Sequence, residues 1–209
     1  MKISMTILFA CLTLLAISHP SVATEVKGPA TQPATAPAVE ERDPLKFSEE
    51  ADAKAKVLRS VIEQEIKSLP KHAWAGQYYF GDGLGANVSL WLAPSAGFLY
   101  EWYGCLGLYD RDYGAVSDDG KGTIQLRFLL GGSRIEGEYV PVAWGERRYL
   151  IAKDQLSDFC DAVNRGREPR KGVHGMWFIR WGDEKKRADG LPAVPEEYRK
   201  GLTPRLESK

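Results

Sequence analysis

Trp74-Ala-Gly-Gln-Tyr-Tyr-Phe-Gly81, Asp82-Gly-Leu-Gly-Ala86, Asn87-Val-Ser-Leu-Trp-Leu-Ala-Pro94 and Gly97-Phe-Leu-Tyr-Glu-Trp-Tyr-Gly104 follow one another almost without interruption. After Cys105-Leu-Gly-Leu-Tyr-Asp-Arg-Asp-Tyr-Gly114 come the turn Asp118-Asp-Gly-Lys-Gly122 and the run Thr123-Ile-Gln-Leu-Arg-Phe-Leu-Leu130. Short runs rich in aromatic and β-branched residues, separated by glycine and aspartate turns, are the pattern of consecutive antiparallel strands. Val88, Leu90 and Leu92 fall on one face of such a strand, Phe98, Tyr100 and Trp102 on one face of the next, and Ile124, Leu126, Phe128 and Leu130 on one face of a later one. That alternation requires one covered face and one wetter face.

Working outward, eight strands are expected at about 74–80, 86–93, 97–103, 109–117, 123–130, 135–144, 146–152 and 174–181. No helix separates the first seven, so parallel βαβ units are excluded and a mainly β, antiparallel meander barrel is expected over residues 71–182. A two-sheet sandwich is the rival, because patterning alone does not prove closure. A helix at 153–165 precedes the last strand: Leu156, Phe159, Cys160 and Val163 share one face, and Gly166 suits its C-terminal end. An N-terminal helix at 45–70 opens at Ser48, carries Glu49 and Glu50 in its first turn, and stops at Pro70. Leu58, Val61, Ile62, Ile66 and Leu69 give it a narrow apolar stripe, interrupted by Glu65, for packing on the outside of the domain.

Residues 1–23 read as a secretory signal peptide. Lys2 supplies the positive start, Ile7–Ile17 an apolar run too short to span a bilayer as a mature helix, and Ser21-Val22-Ala23 a small-x-small cleavage site. Cys11 belongs to that run. No membrane span is expected after cleavage, and the expected location is periplasmic or secreted. Residues 24–44, with prolines at 29, 33, 37 and 44 among alanines and threonines, form a disordered linker. Residues 183–209 form an extended, charged and proline-bearing tail.

The chain balances 28 basic against 28 acidic residues, and cleavage after Ala23 removes only Lys2. A surface so near neutrality gives no long-range steering toward nucleic acid, and no basic face interleaved with aromatics is present. Cleavage leaves Cys105 and Cys160, and two cysteines in an exported chain suggest one disulfide, stapling the second helix across the barrel wall.

Catalytic and metal motifs are absent from the sequence, and no cofactor is expected. His72 and His174 form no ligating pair. Asp110, Asp112, Asp118 and Asp119 do not have the spacing of a calcium loop. Asp82-Gly83-Leu84-Gly85 lacks the helix and lysine of a phosphate loop and reads as a hairpin turn. The informative feature is aromatic density. Part of it must fill the barrel, and part is expected to wall a cup for a small apolar or aromatic ligand: Tyr78, Trp91, Tyr100, Trp102 and Tyr109, with Arg147 at its rim. Two other classes stay open. One is an envelope protein-interaction or inhibitor module using the loops around Gly104–Tyr113. The other is a secreted hydrolase using Asp110, Glu146 or His174.

Eight meandering strands, a Gly76-Gln77-Tyr78 triplet on the first strand with Trp74 just before it, and a helix ahead of the closing strand resemble the lipocalin-like barrels, where a glycine-x-tryptophan motif holds the matching place. The resemblance covers roughly residues 74–181 and implies a small-molecule binding barrel. The chain is also similar to exported bacterial proteins that have no assigned function, a likeness that implies no chemistry.

Overall fold

The computed structural model describes residues 44–83, 85–131, 133–166 and 177–202. The expected signal peptide, the expected linker up to residue 43, His174 and the chain beyond residue 202 lie outside the described residues. Eight strands run in chain order: β1 Gly76–Gly81, β2 Asn87–Ala93, β3 Gly97–Gly104, β4 Gly107–Asp118, β5 Ile124–Phe128, β6 Glu138–Trp144, β7 Arg147–Ala152 and β8 Trp177–Arg180. Each pairs antiparallel with the next, and β8 returns to β1 through Tyr78↔Arg180 and Tyr79↔Ile179, so the barrel is closed and the sandwich is ruled out. The helices are α1 Pro44–Phe47, α2 Glu49–Ser68, α3 Leu156–Asn164 after a 3-10 turn at Lys153–Gln155, and α4 Glu196–Arg199. Among the described residues no helix is long and apolar enough to cross a membrane.

The inward residues stack in register. Gly76, Leu92, Phe98, Gly114 and Phe128 form one row, Tyr78, Leu90, Tyr100 and Asp112 the next, and Phe80, Val88, Trp102 and Asp110 a third. Tyr78, Leu90, Phe98, Tyr100 and Phe178 are fully buried in this interior. Gly114 is required where the wall is tightest: a Cβ there would stand 1.9 Å from the Arg127 carbonyl oxygen. The Phe98 and Phe128 rings meet edge-on at 5.3 Å across that row.

α2 begins as its sequence dictates, with the Ser48 hydroxyl accepting from the Ala51 amide at 3.1 Å. It lies outside the barrel against β2 and β3, over Trp91, Ala93, Leu99 and Tyr113. The buried stripe is Ala51, Ala55 and Ile62, whereas Val61 is exposed. The small alanines let the helix approach the sheet closely, which an inspection of its large residues alone does not reveal. Glu65, the interruption in that stripe, accepts from the Ser95 and Ala96 amides at 2.9 and 2.7 Å and so ties the β2–β3 turn to the helix.

α3 packs Leu156, Phe159, Cys160 and Val163 outside the barrel with Val140, Val142, Ile151 and Ile179. The chain after β8 is a strap over the same wall. Ala193 bridges to Ala143 on β6, Trp144 Nε1 donates to the Gly190 carbonyl, and Val194 and Leu202 are buried.

The expected disulfide is not formed; the structure holds Cys105 and Cys160 as thiols. Cys105 is exposed in the two-residue turn between β3 and β4, and Cys160 is buried against the wall that contains β7, four strands away around an eight-stranded barrel. Burial also raises the Cys160 thiol pKa, with the neighbouring Asp161 adding to it. Thiol titration without reductant is therefore expected to show Cys105 reacting at once and Cys160 only on unfolding. A chain with no titratable thiol would contradict the structure.

Candidate functional site

The barrel has two unlike ends. The β1–β2, β3–β4 and β5–β6 connections lie at one end, here called the lid end. The β2–β3, β4–β5 and β6–β7 turns and the start of the strap lie at the other.

Tyr78, Tyr100 and Trp102, three of the six expected ligand-binding residues, face the interior together. Trp91 lies outside under α2, with the Arg59 guanidinium 4.4 Å above its ring. Tyr109 sits at the irregular register where β3 meets β4, its ring beside Gly104 and its hydroxyl accepting from the Leu106 amide at 3.4 Å. Arg147 is not at a mouth. It is buried on the outer wall, where Nε donates to the Lys186 carbonyl at 2.6 Å and Nη2 to the Glu184 carbonyl at 3.2 Å. The reason is that Arg147 belongs to the outward-facing set of β7, so its charge meets the strap rather than the lumen.

The lid end is organised by two carboxylates. β4 runs on past the end of β5, and the inward Asp110 and Asp112 take over the hydrogen bonding there. Asp112 Oδ1 accepts from the Tyr113, Leu129 and Leu130 amides at 2.7, 3.2 and 3.0 Å. Asp110 Oδ2 accepts from the Arg134 amide at 3.0 Å and the Tyr100 hydroxyl at 3.3 Å, while Oδ1 accepts from Lys46 Nζ at 2.8 Å. Lys46 is itself buried, on α1. The β5–β6 connection is thus pinned as a lid, and it drops Ile135 into the interior cluster.

Three inward residues carry a buried polar atom without a well-formed hydrogen bond: Trp102 Nε1, Asp112 Oδ2 and Tyr139 Oη, the last beside the Glu136 backbone. Two are donors and one is an acceptor. The Phe178 ring is 5.8 Å from Tyr139 and 6.1 Å from Phe80, and Phe80 shares its row with Trp102. Burial holds the Tyr78, Tyr100 and Tyr139 phenols well above the usual tyrosine range; for Tyr100 the adjacent Asp110 adds to the effect.

Of the residues considered for hydrolysis, Asp110 is inside near the lid and held by Lys46, whereas Glu146 is exposed in the β6–β7 turn at the opposite end. They form no catalytic pair. His72 Nδ1 accepts from the Ala75 amide at 3.0 Å and shapes the approach to β1. Among the described residues no group of three or more His, Cys, Asp or Glu side chains is placed to hold a metal ion. Sequence reasoning missed Tyr139, Ile135, Lys46 and the inward role of Asp110 and Asp112. The signal for the aspartates was present: two acids at period two, in the strand that follows an aromatic face, share one face of the sheet. No protein-family model, curated protein or solved structure matches this chain.

Proposed function

We propose that the protein is an exported, non-enzymatic binding protein whose barrel takes a small apolar or aromatic ligand at the lid end. The observation that carries this reading is that three inward residues, Trp102, Tyr139 and Asp112, hold buried polar atoms without a well-formed hydrogen bond among the aromatic and aliphatic side chains of the interior. A buried donor left unsatisfied costs about 1–3 kcal/mol, so a partner that met any of them would bind with a gain. A lipocalin-like affiliation is supported by the strand order of the closed eight-stranded barrel.

The test is native mass spectrometry of protein taken from its own envelope fraction. A bound small molecule is expected, and its retention should weaken about tenfold in Tyr139→Phe, which removes one hydrogen-bond donor. Ligand-free Tyr139→Phe should be at least as stable as the wild type, because the deleted hydroxyl makes no well-formed hydrogen bond. Protein that is always ligand-free, together with unchanged ligand retention in Trp102→Phe and Tyr139→Phe, would count against the reading.

A second reading, a protein-interaction module, rests on the exposed apolar residues around the same end. Leu45, Tyr103, Leu106 and Leu129 are 66%, 41%, 82% and 67% exposed. Capture of a stoichiometric protein partner that is lost in Leu106→Asp would favour it.

A further inference from the structure

At the end opposite the lid, two arginines face inward side by side. Arg148 alternates with the interior residues Leu150 and Ala152 along β7. Arg180 pairs with the interior Tyr78 on β1. The β7–β8 pairing ends at Tyr149↔Ile179, and Arg148 and Arg180 are the next residues of the two strands. Like charges directly opposite one another on neighbouring strands repel. Among the described residues neither guanidinium makes an ion pair; the hydrogen bond found for them is from Arg148 Nη1 to the Arg147 carbonyl, at 3.2 Å. Asp183 of the strap, which acts on Tyr78 together with both arginines, is 2% exposed and already engaged, accepting from Lys186 Nζ at 2.5 Å and from the Arg148 amide at 3.0 Å. Both arginines are half-buried rather than fully solvated, and Gly76 leaves the space that Arg180 occupies.

We propose that Arg148 and Arg180 form an anion-binding site at this end of the barrel, taking a carboxylate or phosphate group between two planar guanidinium forks. Each fork presents paired N–H donors that match two oxygens of such a group, and arginine favours this geometry over lysine. The bound anion removes the repulsion that the fold otherwise tolerates. The site is distinct from the lid end: the buried Tyr78, Leu90 and Tyr100 fill the barrel between them.

Thermal unfolding of the full exported chain in inorganic phosphate, acetate and chloride at equal ionic strength tests this. Phosphate or acetate is expected to raise Tm above its chloride value in the wild type, with no such rise in Arg148→Gln or Arg180→Gln. In chloride those variants should melt no lower than the wild type, since each removes one of two opposed charges. Arg180→Lys keeps the charge without the fork, and its anion affinity is expected to fall at least about tenfold. Phosphate responding while acetate does not would assign a phosphate group; the reverse would assign a carboxylate. Equal Tm in all three salts overturns the proposal, as does an identical anion increment in wild type and both glutamine variants. If a glutamine variant does not fold, wild-type calorimetry with phosphate against Arg180→Lys decides, and equal affinities overturn the proposal.

Discussion

Replacing Glu101 with alanine is expected to lower the folding stability by about 3–5 kcal/mol, the range for breaking a buried ion pair by removing one partner. Glu101 is on the outer face of β3, under α2, with a side chain 1% exposed. One carboxylate oxygen accepts from Arg111 Nε at 3.1 Å and lies 3.0 Å from its Nη2; the other is held by Arg59 of α2. Arg111 also donates to Asp52 of α2 at 2.6 Å. Two arginines and two acids therefore join helix to barrel with balanced charge. Asp52 is 65% exposed and cannot replace the buried carboxylate. Without Glu101, the Arg111 guanidinium, only 4% exposed, is left with an acid that water also solvates and a long hydrogen bond to the Lys46 carbonyl at 3.5 Å. Urea unfolding of Glu101→Ala measures the loss, and hydrogen exchange should show α2 opening before the barrel. The Glu101→Ala/Arg111→Ala double variant should lose clearly less than the sum of the single changes, because the second change removes the stranded charge. A single-variant loss below about 1 kcal/mol would mean that the network contributes no more than an exposed pair.

That network also shows where sequence reading stops. The barrel was legible because its signal is local: Leu90 and Leu92, or Ile124 and Leu126, alternate with wetter residues within one strand, and the turns carry their own glycines and aspartates. The Ser48 start of α2 was legible for the same reason. Glu101 gives no such signal, since an acid between Tyr100 and Trp102 reads as the solvent face until a helix covers it. Arg147 and Arg148 differ by one residue and face opposite ways, one to the strap and one to the lumen; period-two logic settles this only once the register of β7 is known. The aromatic set divided likewise. Tyr78, Tyr100 and Trp102 lie on the inward phase of their strands, while Trp91, on the opposite phase from Leu90 and Leu92, was grouped with those aromatics by composition alone. Cys105 and Cys160 were joined by counting, and counting carries no information about which side of a closed barrel each occupies.

Raising the pH above about 10 is expected to unfold the protein cooperatively. Tyr78, Tyr100 and Tyr139 are at most 1% exposed, and burial holds all three phenols above the ordinary range. The sign follows from linkage. A phenol ionises at about pH 10 in the unfolded chain and only at higher pH in the fold, so its stabilisation is intact below about pH 10. Above that pH the unfolded chain releases protons that the native state retains, and stability falls as pH rises toward the folded values. Each such group costs about 1.4 kcal/mol per pH unit, so the three together cost about 4 kcal/mol per unit. Against a typical domain stability of about 5–15 kcal/mol, unfolding is expected roughly one to four units above pH 10. Tyrosinate absorbance and circular dichroism, followed together, provide the measurement. Of the nine tyrosines, at least these three should ionise only in the step that loses the barrel signal. Tyr139→Phe should remove about one third of the slope at little cost near neutrality, because that hydroxyl makes no well-formed hydrogen bond. All nine ionising together near pH 10 with the barrel intact would show that water reaches these phenols and that the interior is open.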